Sequence, residues 1–213
     1  MTTQSEQAAT VPGPTGGIHG EWLTLLEHLL GAVVHATNNA ITALTMHCEL
    51  STASGEILDQ SLLTREFARI QKMVEVTGLL SGRSSSSEAL ELRAVLDVAV
   101  RLHGELRHLR DVECEIRQTG PLLPVRVPRT ELLRVLLLMI DAAKRSHSDE
   151  TTRWIELASY ADRLTVRVPS EAEPGEDMRA FAESCGGIAR QREGALELEL
   201  PSLAALRQRE RAS

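Results

Sequence analysis

The chain has 213 residues and a formal charge of -7, with 30 acidic against 23 basic side chains. That length can bury a sizeable core in one or two domains. The acidic balance would repel a phosphate backbone, and aromatic residues make up only 2% of the chain, so nucleic acid is excluded as a partner.

Cys48, Cys114 and Cys185 are odd in number and widely spaced, with no CxxC pair. They read as reduced, buried thiols rather than as a disulfide or zinc framework. The first residues lack the basic and apolar regions of a signal peptide. No apolar run approaches the ~20 residues a membrane span needs. The expectation is a cytoplasmic protein with no membrane partner.

Residues 1–18 are rich in Thr, Gln, Ser, Gly and Pro and predict a disordered leader. A long helix is expected from near Gly20 to Leu50. Leu23, Leu26, Leu30, Val33, Thr37, Ala40 and Leu44 alternate three and four apart along it, which is a heptad seam. His28, His35 and Thr42 follow a separate seven-residue line on the flank of that seam. Ser51 to Gly55 make a short break. A second helix follows from about Glu56, carrying Leu62, Leu63, Phe67, Ile70, Val74 and Leu80 at helical spacing. Residues 19–81 therefore form an antiparallel hairpin. A lone hairpin leaves part of each apolar stripe bare, so a homodimeric four-helix bundle is predicted. The alternative is a monomer in which the second half of the chain covers the stripe.

Residues 82–88, GRSSSSE, read as a linker. Residues 89–203 carry a different pattern: a helix over 90–109, strands over 112–116 and 124–127, and an apolar helix over 130–144. Thr130 is the candidate N-cap of that last helix. Strands follow over 154–157 and 164–168, then a short helix over 178–185. A Gly186-Gly187 break leads to a strand over 195–200. The order predicts an α+β fold with helices on one face of a mixed sheet. Residues 204–213, rich in Arg and Glu, are expected to be a frayed tail.

One cluster stands out chemically. His35, Thr37, Asn38 and Asn39 interrupt an otherwise apolar helix. Side chains three and four apart share a helix face, so both amides lie beside the imidazole one turn on. The plain reading is a hydrogen-bonded histidine in a packed bundle; the sharper one is a histidine presented to a phosphoryl group. His28 lacks the amides, and His103 and His108 have poor metal spacing. No hydrolase triad or zinc motif is present.

His35-Ala36-Thr37-Asn38-Asn39 resembles the phosphoacceptor box of sensor histidine kinases. The run from Glu131 to Ala143 resembles the N-box helix of their ATPase domain, with Asp141-Ala142 where that family has Asn-Ala. Gly186-Gly187-Ile188 through to Leu200-Pro201 resembles the family's closing segment. The resemblance implies a dimerisation and histidine-phosphotransfer hairpin over residues 19–81 and an ATPase-like domain over 89–203. It covers roughly residues 20–202.

The departures are specific. Leu137 and Asp141 stand where the family has asparagines for Mg²⁺, and neither a DxGxG turn nor a glycine-rich lid is present. Ala36 replaces the acid that usually follows the phosphoacceptor and takes its proton. A kinase architecture without ATP chemistry resembles the ChpT-like histidine phosphotransferases. That resemblance implies a phosphorelay protein with His35 as phosphoacceptor. Asn39 would be an orienting or phosphatase-type amide and Asn38 a supporting one. No cofactor would be bound by the chain itself, Mg²⁺ coming from the partner. The implied partners are response regulator receiver domains and a hybrid histidine kinase. The rival readings are a noncatalytic dimeric adaptor and, less favoured, an ATP-dependent kinase.

Overall fold

The structure is a computed structural model describing residues 19–55, 59–81, 86–104, 112–146, 152–160 and 162–212. The expected leader lies outside the described residues, as does most of the linker. Helix α1 runs from His19 to Ser54, four residues past the expected end at Leu50 and through most of the expected break, and stops where Gly55 takes a left-handed φ of 69°. Helix α2 spans Gln60–Ser81. Asp59 caps it, its Oδ1 accepting the Ser61 backbone N–H at 2.8 Å. His47 Nε2 accepts the Asp59 backbone N–H at 3.0 Å, tying the turn to the end of α1.

The buried stripe of α1 matches the predicted seam only in part: Ala40 is buried and Leu26, Leu30 and Val33 are partly buried against the core, but the centre of the stripe is shifted. Leu25, Leu29, Ala36 and Ala40 are buried, whereas Leu23 is 60% exposed. They face α2, whose own buried side carries Glu66, Met73, Val76 and Leu80. A second apolar stripe remains uncovered. It comprises Leu23, Val34 and Ile41 on α1 and Phe67 and Val74 on α2. The predicted seam averages these two faces, because it runs between them on the helix surface.

Strand β1, Glu88–Leu90, pairs antiparallel with β3, Val125–Val127, in a small sheet. Helix α3 spans Leu92–His103; it begins two residues later than expected because Leu90 ends strand β1, and residues 105–109 of the expected helix lie outside the described residues. Strand β2 covers Glu113–Thr119 and helix α4 Arg129–Arg145. Pro128 precedes α4 as its N-cap position and offers no side-chain cap, so Thr130 is not the cap. Strands β4 (Thr152–Ser159) and β5 (Arg163–Pro169) lead to helix α5 (Glu176–Ser184). Strands β6 (Ile188–Arg192) and β7 (Ala195–Pro201) follow, and Leu203–Ala212 form helix α6 in place of a frayed tail.

The main sheet has the order β2-β4-β5-β7-β6; β2 and β4 run parallel and the other neighbours antiparallel. Alternation assigns its faces. Ile155, Leu157, Leu164, Val166, Val168, Leu196, Leu198 and Leu200 are buried beneath the helices. The opposite face carries cross-strand ion pairs, among them Arg163–Glu199, Arg167–Glu156 and Arg190–Glu197. Leu25, Leu29, Val76 and Leu80 of the hairpin join the same core cluster as α3 and α4. The second half of the chain thus covers one end of the hairpin, and the stripe at Val34, Ile41 and Phe67 is left open.

Gly187 marks the tightest approach, since a Cβ built there would lie 2.1 Å from the Glu199 carbonyl oxygen. The backbone of β7 cannot yield without breaking its ladder. Gly187→Ala is expected to destabilise the fold by about 2–3 kcal/mol, read as a lowered urea midpoint. An unchanged midpoint would contradict this packing.

Candidate functional site

Helix α1 carries His35 on the side turned away from both apolar stripes. At about 100° per residue, His35 lies roughly opposite the line midway between them, so it sits on the far side of the helix from the predicted seam and not on its flank as expected. It is exposed, as are Asn38 and Asn39. Asn39 Nδ2 stands 3.0 Å from His35 Nε2, the contact expected for residues four apart. Asn38 sits roughly 60° from His35 on its other side around the axis. Thr37 is half-buried and donates its hydroxyl to the Val33 carbonyl at 2.9 Å, so it supports the helix rather than the imidazole. His28 is exposed one heptad earlier.

Ala36 is only 6% exposed. The position after the histidine therefore faces the inside of the hairpin, beside α2. A carboxylate there would be stripped of water without a designed partner, which is costly. The missing acid is a packing choice as well as a chemical one.

In the second half of the chain the two positions that resemble N-box asparagines are fully committed. Leu137 is buried with no exposure at all, in the α4 core. Asp141 Oδ1 is 3.1 Å from Nε2 of His103, which is itself wholly buried, and Asp141 Oδ2 is 2.9 Å from Arg145. Residues 170–175 alone connect β5 to α5, and the Ser170 N–H is bound by the Gly194 carbonyl at 3.0 Å. Helix α5 lies against α4, where Arg134 pairs with Asp177. Trp22 of α1 stacks on the same guanidinium, 5.0 Å from ring centre to Cζ. Arg134 thus clasps α1, α4 and α5 together.

His103 and Arg134 were not legible as site residues. A weak signal existed for the first: His103 falls four residues after Ala99, on the buried stripe of α3. Of the thiols, Cys48 is exposed rather than buried, and Cys114 and Cys185 are half-buried. Burial pushes both of these thiols up, so they stay protonated and weakly nucleophilic near neutrality. Among the described residues no group of three or more His, Cys, Asp or Glu side chains could hold a metal ion, and no helix is long and apolar enough to cross a membrane.

No protein-family model matches the sequence, and no curated protein matches it. Solved structures similar to this chain include the histidine kinase AdeS of Acinetobacter baumannii, at 17% identity and a TM-score of 0.46, covering 79% of this chain and 98% of that one. The ATP-binding domain of PrrB from Mycobacterium tuberculosis is 14% identical with a TM-score of 0.45, covering 55% of this chain and 98% of that one. Histidine kinase ThkA in complex with the response regulator protein TrrA is 18% identical with a TM-score of 0.44, covering 85% of this chain and 63% of that one. With each TM-score below 0.5, the functional assignment is taken from this chain's own residues.

Proposed function

We propose that this chain is a cytoplasmic histidine phosphotransferase of a two-component phosphorelay, passing a phosphoryl group between receiver-domain aspartates through His35. The observation that carries the reading is an exposed imidazole held by Asn39, on the side of the hairpin turned away from both apolar stripes. A partner can reach that side without displacing packed residues. An aspartyl phosphate is already activated, so the chain need supply only a neutral imidazole nitrogen as nucleophile. That nitrogen forms a bond to phosphorus while the bond to the aspartyl oxygen breaks, and its electron pair leaves with the carboxylate. The receiver's acidic pocket would bring the Mg²⁺. The partners are then response regulator receiver domains, with a hybrid histidine kinase as the upstream source.

The second domain would bind no nucleotide. Asp141 is held between His103 and Arg145, Leu137 fills the core, and α5 lies on α4 where a lid would need room. A homodimer would cover the open stripe of Leu23, Val34, Ile41, Phe67 and Val74. In such a four-helix bundle the His35 side remains outward.

A noncatalytic adaptor binding a response regulator or kinase is the second reading, and the buried Ala36 favours it. The experiment is transfer of labelled phosphate from a phosphorylated receiver to this chain with ATP omitted. Label on the wild type, and none above background on His35→Ala, supports the phosphotransferase. A stable complex that never moves label supports the adaptor.

A further inference from the structure

Strand β6 forms one edge of the main sheet, next to β7. It joins β7 through Glu193 and Gly194, both at positive φ (53° and 72°), a two-residue turn of the mirror-image type. In such a hairpin the residues flanking the turn, Arg192 and Ala195, exchange backbone hydrogen bonds, and bonded and non-bonded pairs then alternate. Arg190 and Ile188 therefore bond to β7, while the backbone N–H and C=O groups of Ala189 and Gln191 point away from it, toward the open edge. Among the described residues no other backbone group takes them up. Such a row of groups is a template for a further strand. We propose that the free edge of β6 takes an extended segment of a partner protein as an added strand, with acidic side chains at alternate positions opposite Arg190 and Arg192. The surface involves neither His35 nor phosphoryl transfer.

Charge selects the occupant. Alternation puts Ile188, Arg190 and Arg192 on the open face of the sheet, beside the ion pairs of that face. Arg190 binds Glu197 and Glu199, but both carboxylates are buried beneath it. Its guanidinium is 39% exposed, and Nε and Nη2 make those bonds, which leaves Nη1 for an incoming carboxylate. Arg192 is 57% exposed and stands 3.4 Å from the exposed Glu193, a pair worth little in water. A second copy of β6 is a poor occupant. In the antiparallel register that pairs all five residues, Arg190 would face Arg190, and like charges directly opposed destabilise a sheet. An acidic strand meets the same two side chains favourably, since residues opposite each other stand about 5 Å apart at Cβ. Ile188, exposed on the same face, adds an apolar contact at one end.

The experiment uses the full chain, ¹⁵N-labelled, and two synthetic heptapeptides, one alternating Glu with Thr and one alternating Lys with Thr. Each is titrated into the millimolar range. The Glu peptide is expected to shift the amide resonances of Ala189 and Gln191 saturably and to slow their exchange with deuterium. The Lys peptide should bind at least about fivefold more weakly. Arg192→Glu should weaken the Glu peptide by about fivefold. Gln191→Pro removes an N–H that faces the open edge and leaves the bonds to β7 in place. It should weaken binding by about tenfold, whereas Gln191→Ala, which keeps the N–H, should change it by less than about twofold. Circular dichroism shows whether the proline variant folds; if it does not, the exchange of the wild type and Arg192→Glu decide. No saturable shift at the two amides, equal binding of both peptides, or a folded Gln191→Pro that binds as the wild type does would overturn the proposal. Protection of both amides that grows with protein concentration, with no peptide present, would put a second copy on the edge and overturn it too.

Discussion

Placing charge on the open stripe, with Ile41→Glu and Phe67→Glu together, is expected to turn a dimer into a folded monomer. Both side chains are about half exposed or more in the single chain, so neither substitution opens a cavity in the hairpin. In the proposed bundle each would be buried by the partner copy. Burying one such side chain contributes about 1.5–3 kcal/mol. Two positions on each of two protomers therefore set a loss of more than about a thousandfold in dimer affinity. Desolvating four carboxylates on one surface would deepen the effect. Light scattering or sedimentation reads the change, and unchanged helical circular dichroism shows that the chain still folds. A variant that stays dimeric would place the interface elsewhere. A monomeric wild type would sink the bundle, leaving the packing of α1 on α2 and of Leu25, Leu29, Val76 and Leu80 on the second half of the chain to stabilise the hairpin.

Asp141→Ala is expected to cost about 2–3 kcal/mol of stability. Removing the carboxylate leaves Nε2 of the wholly buried His103 without its 3.1 Å partner, and releases Arg145. Asp141→Asn keeps an oxygen for His103 to bond and should cost less than about 1 kcal/mol. The asparagine also restores the residue that resembles a kinase N-box. No ATP binding should appear by titration calorimetry, because Leu137 and the Arg134–Asp177 clasp remain in place. Tight Mg²⁺-dependent ATP binding, in the wild type or in this variant, would contradict the reading of the second domain. Equal destabilisation by Ala and Asn would show that charge, not the hydrogen bond, is what His103 and Arg145 require.

The sequence made some of this legible and hid the rest for identifiable reasons. The His35–Asn39 contact follows from a four-residue spacing on a long uninterrupted helix, a local relation that needs no tertiary knowledge. The seam of α1 was misplaced because the helix is apolar on two sides, one met by α2 and α4 and one left bare. A single heptad line through such a helix falls between the two. Strand β6, Ile188–Arg192, has almost no apolar alternation and owes its existence to pairing with β7. Strand β1 has three residues and is set by β3. Helix α6 reads as solvated tail because Arg and Glu fill it. Ser202 nevertheless accepts the Ala205 N–H at 3.1 Å and Ala205 is buried against the fold. The His103–Asp141 pair joins residues 38 apart, beyond any local pattern. Ala36 was legible as a lost acid but not as a buried residue, and only the hairpin contact reveals the second meaning.

The most direct test of the central claim places the chain between two receivers. The first receiver is loaded with labelled phosphate, purified from its donor and mixed with the second, with no ATP present. Label is expected to reach the second receiver only when the wild-type chain is added, passing through an acid-labile, base-stable adduct on His35. His35→Ala, still able to bind both receivers, should leave the label where it began. Label that moves equally well with His35→Ala, or a wild-type chain that binds both receivers and moves none, would contradict the account.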